Sequence, residues 1–253
     1  MEDLLILGHM VGEGHLLIYS TDPTMQEGLA GTAAGGAFGA APGDFLSVVE
    51  NSSGANKVDY YQDRSVSYSV RLEPAGTAHA TAEIRLENNA PTAGEPRYVL
   101  GPRPPYSSTP GESGQLMNVY CGEGCQLESA YRDGSRISVW TGTELGRRFY
   151  QDHFSTPSGR TSELRMTWYL PEAWEGDDRG GTYRLTFMNQ TTIRPTELSV
   201  QIHAPEGMTI VEASPDMQVD QDVATWEGVP DRSLELSISF QPPLGVRLWR
   251  TIT

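Results

Sequence analysis

The chain has 253 residues, of which 38% are hydrophobic and 20% charged, so the composition allows a packed core and excludes general disorder. Its formal net charge of −15 disfavours nucleic acid and anionic lipid surfaces as partners, because the protein's own field repels a polyanion. No run approaches the ~20 apolar residues that a membrane helix needs.

Residues 1–57 are predicted to form a short α/β lead-in. Leu4, Leu5, Leu7 and Met10 are predicted to line one helical face, and residues 15–19 read as a strand. A helix is predicted to start at Pro23, with Thr21 or Asp22 as its cap. The Gly/Ala-rich run 31–44 is predicted to be a flexible connection. The acidic start lacks the basic region of a signal peptide, so the chain is either cytosolic or a fragment whose anchor lies upstream.

The stretch NSSGANKVDYY, residues 51–61, has two interpretations. In the first, it is a turn leading into a strand, with Val58 and Tyr60 facing inward and Lys57 and Asp59 facing water. In the second, Asn56, Lys57 and Asp59 present an amide, an ammonium and a carboxylate to a sugar or a peptide. The structural interpretation is favoured, because polar turn residues ordinarily guide the backbone.

A first β-sandwich is predicted over residues 58–171. Apolar residues alternate with polar ones over 66–72 and again over 78–86, around a turn at Pro74-Ala75-Gly76. This pattern indicates a long antiparallel hairpin with one dry and one wet face. The Pro/Gly/Ser-rich stretch 88–114 is predicted to be a long excursion between strands.

The two cysteines, Cys121 and Cys125, are separated by Gly-Glu-Gly. A strand, a tight glycine turn and a return strand would bring their Cβ atoms to disulfide distance. Free thiols and a zinc half-site are the alternatives, although no second ligand pair follows at zinc spacing. A disulfide would indicate an oxidising compartment.

The acidic, glycine-rich segment 171–181 is predicted to be a domain boundary. About five short alternating strands follow it, which predicts a second, smaller sandwich over residues 172–253. The fold class is therefore mainly β, with two immunoglobulin-like antiparallel β-sandwich domains after the short α/β segment. The basic, apolar tail 242–253 is expected to pack back on the second domain or to begin a further element.

Four stretches together resemble a known family: EGHLLIYSTDPTMQEGLAG, NSSGANKVDYYQDRSVSYSV, ENNAP and LRMTWYLP. In this order they are similar to the C-terminal half of domain of unknown function 4012, over roughly residues 10–171. Members are long bacterial envelope proteins, usually with an N-terminal membrane segment and β-rich extracytoplasmic modules. The resemblance implies an extracytoplasmic location and an anchor outside this chain, and it transfers no catalytic residue.

Motifs for catalysis and cofactors are absent from the sequence. There is no Gly-x-Ser-x-Gly, no H-E-x-x-H, no phosphate loop and no Rossmann fingerprint. Two clusters of acidic residues, within 172–178 and 216–222, are interpreted as solvated loops. Calcium binding is the alternative. Tyr169, Trp174 and Trp249 are aromatic residues with no evident core position, and they are candidates for stacking on sugars.

We therefore expect a non-catalytic extracytoplasmic module of a bacterial envelope protein, without a cofactor or metal, that serves as scaffold, spacer or interaction surface. The expected partner is an envelope glycan or another envelope protein. The alternatives are a carbohydrate-binding module and the accessory part of an enzyme whose catalytic half lies outside the chain. Tyr or Trp beside Asn, Asp or Lys on one concave face would favour the first alternative.

Overall fold

A computed structural model describes residues 2–12, 14–30, 32–36, 43–230 and 233–243, and these are mainly β. The helices are α1 (Glu2–Gly12), α2 (Pro23–Ala30) and α3 (Arg97–Leu100), with short 3-10 turns at Ala33–Gly35, Val58–Tyr61 and Pro74–Gly76. Among the described residues, no helix is long and apolar enough to cross a bilayer. The strands are β1 (Asp44–Ser52), β2 (Gln62–Leu72), β3 (Ala78–Asn88), β4 (Ser113–Cys121), β5 (Gln126–Arg132), β6 (Ser135–Arg136), β7 (Trp140–Glu144), β8 (Arg147–Thr156), β9 (Arg160–Leu170), β10 (Trp174–Asp177), β11 (Gly180–Asn189), β12 (Glu197–His203), β13 (Thr209–Ala213), β14 (Gln218–Asp220), β15 (Val223–Gly228) and β16 (Ser233–Gln241).

The strands form two sheets of eight that face each other as a sandwich. Sheet A has the order β13-β16-β11-β1-β4-β8-β7, with β10 paired to β11. Sheet B has the order β14-β15-β12-β2-β3-β9-β5-β6. The predicted mainly β class with sandwich-like packing of sheets is confirmed, while the division into two domains and their immunoglobulin-like character stay predictions.

Two parallel strand pairs join the earlier and later parts of the chain. In sheet A, β1 pairs with β11 from Asp44–Leu185 to Val48–Asn189. In sheet B, β2 pairs with β12 from Ser65–Glu197 to Arg71–His203. The other strand pairs are antiparallel. We call these two parallel pairs the seam.

The alternation in the sequence places the core as expected. Val70, Ala80 and Leu236 are almost fully buried, while their neighbours along each strand face solvent. The largest buried side chains, such as Trp168 and Tyr68, lie between the sheets with their rings 5.8 Å apart. Burial of this kind contributes about 1.5–3 kcal/mol for each large side chain, so it supplies most of the stability.

One carboxylate is buried at the seam. Asp44, the first residue of β1, accepts hydrogen bonds from Tyr68 Oη at 2.6 Å and from Tyr183 Oη at 2.7 Å. Its other oxygen accepts the Phe45 amide at 2.7 Å. Tyr68 lies on β2 of sheet B and Tyr183 on β11 of sheet A, so one side chain connects both sheets at the start of the parallel pairing.

Burial raises the pKa of Asp44 from 3.8 to about 6, although the two tyrosines, the Phe45 amide and the charge of Arg147 oppose the shift. Because the folded-state pKa is the higher one, the folded protein binds more protons than the unfolded chain between pH 3.8 and about 6. The contribution of Asp44 to stability therefore falls as the pH rises through this window and is constant above it.

The disulfide Cys121–Cys125 is present in the structure. The predicted tight hairpin around it is wrong, since β4 ends in sheet A at Cys121 and β5 begins in sheet B at Gln126. The bond therefore closes the crossover between the two sheets. Gly122 lies against Asp44, where an added Cβ would stand 2.8 Å from a carboxylate oxygen, which explains the absence of a side chain there.

The lead-in agrees with the prediction in part. Helix α2 starts as expected, with Asp22 Oδ1 accepting the Met25 amide. Residues 15–19 form no strand, and the end of the predicted lead-in contains the central strand β1, with the run DFLSVVE, which was not predicted. The apolar face of α1 is exposed, with Leu5 at 72% accessible. The predicted connection 31–44 lies partly outside the described residues.

The predicted boundary segment 171–181 is not a linker. It contains β10 and the start of β11, which form an antiparallel hairpin in sheet A. Both sheets continue from one predicted sandwich into the other through the seam. The division at residue 171 into separate folding units stays a prediction, and most of the predicted tail lies outside the described residues.

We expect Tyr183→Phe to lower the free energy of unfolding at pH 7 by about 2 kcal/mol, because it removes one donor from a buried carboxylate. Urea unfolding checks this, with Tyr98→Phe, on an exposed ring, as the control. In the wild type, Asp44 should lower the free energy of unfolding by about 3 kcal/mol between pH 4 and pH 7, since a pKa difference of about two corresponds to that much. Asp44→Asn should lose this dependence on pH. The same pH dependence in Asp44→Asn as in the wild type would contradict the raised pKa of Asp44.

Candidate functional site

Two pockets lie at opposite ends of β2. The first, the seam pocket, has a volume of about 190 Å³, and the second, the end pocket, about 620 Å³. The seam pocket is lined by Glu50, Ser52, Asp59, Gln62, Arg64, Gln190, Thr191, Thr192, Ile193 and Arg194. The end pocket is lined by Pro74, Ala75, Trp174, Gly176, Asp177, Asp178, Pro205, Glu206, Gly207, Met208 and Pro242.

Asn56 is a buried structural residue. Its Nδ2 donates to the Glu112 carbonyl at 2.8 Å, and its Oδ1 accepts the Val58 amide at 3.3 Å. The side chain thus joins the turn after β1 to the end of the excursion 89–112. This arrangement corresponds to the structural interpretation of the NSSGANKVDYY stretch, because the amide is occupied inside the protein.

Lys57 and Asp59 do not lie on a strand. Residues Val58–Tyr61 form a 3-10 turn, so the predicted alternation fails here. Lys57 is exposed and its amide donates to the Val99 carbonyl, while Val58 is buried as predicted. Tyr60, predicted to face inward, is 55% exposed. The turn reverses the phase of the side chains, which sequence alternation alone does not predict.

Asp59 is the one residue of the predicted trio that lines the seam pocket. The pocket lies where Glu50 at the end of β1 and Gln62 at the start of β2 meet the connection 190–196. Arg194 closes it by donating from Nη1 to both oxygens of Asp63, at 3.0 and 3.1 Å. Its Nε also donates to the Tyr60 carbonyl at 3.3 Å, which fixes the connection against the turn.

Arg64 forms the floor of this pocket and is buried. Its Nε and Nη2 donate to Thr196 Oγ1 at 3.0 and 2.8 Å, and its Nη1 donates to Gln190 Oε1 at 3.1 Å. Nη2 also donates to the Gln190 carbonyl. The guanidinium thus holds both ends of the connection between β11 and β12, and it serves as a clamp of the seam.

Gln190 continues the parallel ladder beyond its last strand residue. The β1–β11 pairing ends at Val48–Asn189. The next side chain, Gln190, accepts the Glu50 amide at 2.7 Å and donates to the Glu50 carbonyl at 2.8 Å. A side-chain amide carries the same donor and acceptor as a peptide group, so it can take the place of one more backbone pair.

The seam pocket is close to electrically balanced. Glu50 lies 3.9 Å from Arg64 Nη1, and both side chains are nearly inaccessible. Burial raises the pKa of Glu50, and the charge of Arg64 opposes this shift. Burial in turn lowers the pKa of Arg64, with Glu50 opposing. The balance suits a neutral polar ligand better than an ion.

The end pocket contains Trp174, which the sequence placed among the exposed aromatics. Trp174 is only 8% exposed; its ring packs edge-on against Phe240 at 5.0 Å and its Nε1 donates to the Glu73 carbonyl. The expectation of a free stacking ring is therefore wrong. Its neighbour Asp177 accepts the Arg179 amide, which shapes the acidic turn beside the pocket.

The remaining candidates lie apart. Tyr169 is half-buried on the outer face of sheet B, 5.4 Å from the ring of His79. His79 in turn contacts Glu128 at 3.0 Å. Tyr169 and Trp174 therefore share no pocket with Asn56, Lys57 and Asp59. Trp249 lies outside the described residues.

The acidic groups form no metal site in the described part of the chain, where no three His, Cys, Asp or Glu side chains are grouped for one ion. Among the carboxylates proposed as calcium ligands, Asp216 precedes the edge strand β14, Asp220 is its last residue, and both are exposed. The cysteines are joined to each other, so the zinc alternative is excluded for this disulfide-bonded form.

Sequence reasoning missed Arg64 and Asp44, two of the charged residues at the seam. A signal for Arg64 existed, because it shares the inward phase of Val66, Tyr68 and Val70 on the same strand. A charge on the dry face of a strand indicates a buried partner. Asp44 gave no comparable signal, since its tyrosines are 24 and 139 residues away.

No protein-family model matches the chain, and no curated protein does so either. Among solved structures, it is similar to a Legionella pneumophila protein that carries the provisional name nutrient binding protein, at 12% identity over 79% of this chain and 72% of that one, with a TM-score of 0.45. It is also similar to LTA4 hydrolase from yeast, at 9% identity over 71% and 28%, with a TM-score of 0.41. An M1 zinc metallopeptidase from Deinococcus radiodurans matches at 11% over 72% and 42%, with a TM-score of 0.31.

The chain thus spans less than half the length of the two enzymes that it resembles. At these identities the likeness concerns the fold alone.

Asn56→Ala should lower the free energy of unfolding by about 2 kcal/mol, because it leaves the Glu112 carbonyl and the Val58 amide without their buried partner. The matched control is Lys57→Ala, at the next and exposed position, which should change it by less than about 0.5 kcal/mol. Urea unfolding measures both, and limited proteolysis should show faster cleavage in 89–112 for Asn56→Ala alone. Equal effects at the two positions would overturn the structural role of Asn56.

Arg64→Met should destabilise the protein by about 3 kcal/mol, because it leaves Glu50 buried without its cation. The double variant Arg64→Met/Glu50→Gln should recover part of this loss, since the unpaired charge is then removed. Thermal and urea unfolding compare the two variants. A double variant that is no more stable than the single one would show that Glu50 and Arg64 act independently.

Proposed function

We propose that this chain is a non-catalytic, extracytoplasmic module of a bacterial cell-envelope protein, which acts as a rigid scaffold and interaction surface. The observation that carries the proposal is the use of the buried polar side chains. Asp44, Asn56 and Arg64 each hold two or more segments of the chain together through hydrogen bonds. Such residues stabilise one fixed arrangement, which is what a spacer or scaffold requires.

The compartment is supported by the disulfide Cys121–Cys125, because disulfides persist mainly in oxidising environments. The formal net charge of −15 favours solubility, and it disfavours binding to anionic lipid surfaces. The resemblance of the NSSGANKVDYY region to the domain of unknown function 4012 family also supports a location in the cell envelope.

The thiol state in native cells tests the location. Cells are quenched with acid, alkylated before reduction, and the peptide with both cysteines is analysed by mass spectrometry. We expect unmodified, disulfide-bonded cysteines, and protease added to intact spheroplasts should digest the protein. Fully alkylated thiols together with protection from protease would contradict the extracytoplasmic location.

One observation favours the second candidate, a carbohydrate-binding module for envelope glycans. The seam pocket brings Asp59, Gln62 and the hydroxyl side chains of Ser52 and Thr192 together, and the exposed ring of Tyr60 lies in the turn beside it. Carboxylate, amide and hydroxyl groups pair with sugar hydroxyls, and an exposed aromatic ring offers an apolar face. The balanced charge of the pocket suits a neutral sugar.

A glycan array of bacterial envelope saccharides separates these two candidates. The scaffold proposal predicts no binding above background for the wild-type chain. Binding that is lost by at least about tenfold in both Asp59→Ala and Tyr60→Ala, and retained in Tyr98→Ala as the exposed-tyrosine control, would instead establish the carbohydrate function. Binding that is unaffected by these two changes would place the glycan site elsewhere and would overturn the assignment to the seam pocket.

A further inference from the structure

Strand β7 is the most open edge of the sandwich. It is the last strand of sheet A and pairs with β8 alone. Its sequence WTGTE is almost entirely solvent-exposed, and Trp140 is 80% exposed, the largest accessible fraction among the tryptophans in the described residues. A regular, exposed edge with an accessible aromatic residue is a ready surface for pairing with another strand.

The other strands with a single partner in the described residues carry features that oppose pairing, and one of them, β10, has only four residues. Strand β13 contains a register shift between Ile210 and Glu212. Strand β14 has only three residues, and β6 only two. Bulges and very short strands are common means by which proteins protect their edges, and β7 shows neither.

The hairpin geometry shows which backbone groups of β7 are free to pair. β7 and β8 are joined by the two-residue turn Leu145–Gly146, where both residues have positive φ, at 50° and 79°. In such a hairpin the residues that flank the turn exchange both hydrogen bonds, and every second pair repeats the exchange. The inward pairs are therefore those of Glu144, Gly142 and Trp140. The amides and carbonyls of Thr141 and Thr143 point away from the sheet.

The outward groups are self-complementary. If a second β7 runs antiparallel about a two-fold axis at Gly142, Thr141 of each copy lies opposite Thr143 of the other, and both pairs exchange their free hydrogen bonds. The two Gly142 residues then form the central non-hydrogen-bonded pair, where Cα atoms approach most closely, and the Phe149 ring of each chain covers its own glycine where a Cβ would stand. Facing threonines are favourable cross-strand neighbours.

From this register we infer that the chain forms a two-fold symmetric dimer through β7, which makes sheet A continuous across two copies. The occupant of the edge is a second copy, because in this register the outward backbone groups of Thr141 and Thr143 bond to those of the other copy and threonine faces threonine in both pairs. Such an isologous contact is closed and limits assembly to two subunits. The inference goes beyond the scaffold proposal and does not depend on it.

A charge-exchange series tests the dimer and its register. The wild-type chain should show about twice its 27.7 kDa mass by sedimentation velocity. Thr141→Lys/Thr143→Lys places lysine opposite lysine in both symmetric pairs, and should weaken the dimer by at least about tenfold. Thr141→Lys/Thr143→Glu places lysine opposite glutamate in both pairs and should restore it.

The matched control is Val211→Lys/Gln218→Lys, which adds the same charge at the exposed edges β13 and β14 and should remain dimeric. Circular dichroism establishes that each variant is folded. A monomeric wild-type chain, or a lysine–lysine variant that dimerises as tightly as the wild type, would overturn the inference.

Hydrogen exchange of the wild-type chain gives a test that needs no variant. Raising the protein concentration should slow exchange at the amides of Thr141 and Thr143 by at least about tenfold, because only these donors become bonded in the dimer. The Gly142 amide already bonds to β8 and serves as the internal reference. Exchange at all three amides that is independent of concentration would contradict the β7 interface.

Discussion

The buried carboxylate of Asp44 is the contact on which the organisation of this protein depends. It lies at the start of β1, the strand through which the earlier and later parts of the chain join in sheet A. Its tyrosine donors come from β2 in sheet B and β11 in sheet A. A single charged group therefore fixes both the spacing of the two sheets and the side-by-side placement of the two parts. Buried charges are costly unless they are hydrogen-bonded in this way.

Arg64 and Gln190 repeat this principle at the other end of the parallel pairing. The guanidinium holds the connection between β11 and β12, and the amide of Gln190 prolongs the ladder beside Glu50. The seam is thus fastened by polar groups at both ends, and apolar side chains fill the space between. Most buried polar side-chain atoms in the described residues are therefore hydrogen-bonded inside the protein.

Local patterns predicted much of the fold. The alternation through Val70, Ala80 and Leu236 fixed which faces are dry, because period-two burial is a local property of a strand. The partners of the strands were beyond such reasoning, since the parallel pairs join residues more than 100 positions apart. The central strand β1 was missed because its run DFLSVVE follows a Gly/Ala-rich stretch and shows no alternation, as a strand covered on both faces does not.

The candidate site was predicted less well than the fold. Of the five proposed residues that the structure describes, Asn56 and Trp174 are buried supports, Tyr169 lies on a distant face, and Lys57 is exposed beside the turn. Asp59 alone lines the seam pocket. The 3-10 turn at Val58–Tyr61 changes the phase of this stretch, and the pocket needs residues near position 190, which only the folded chain brings into contact.

Native-state hydrogen exchange in increasing urea tests most directly whether the seam makes the sandwich one cooperative unit. The slowest amides of β3, from the earlier part, and of β16, from the later part, should open with the same free energy and the same urea dependence. Opening of β16 at a clearly lower free energy, while β3 remains protected, would show two independent units joined by a passive contact and would contradict the account.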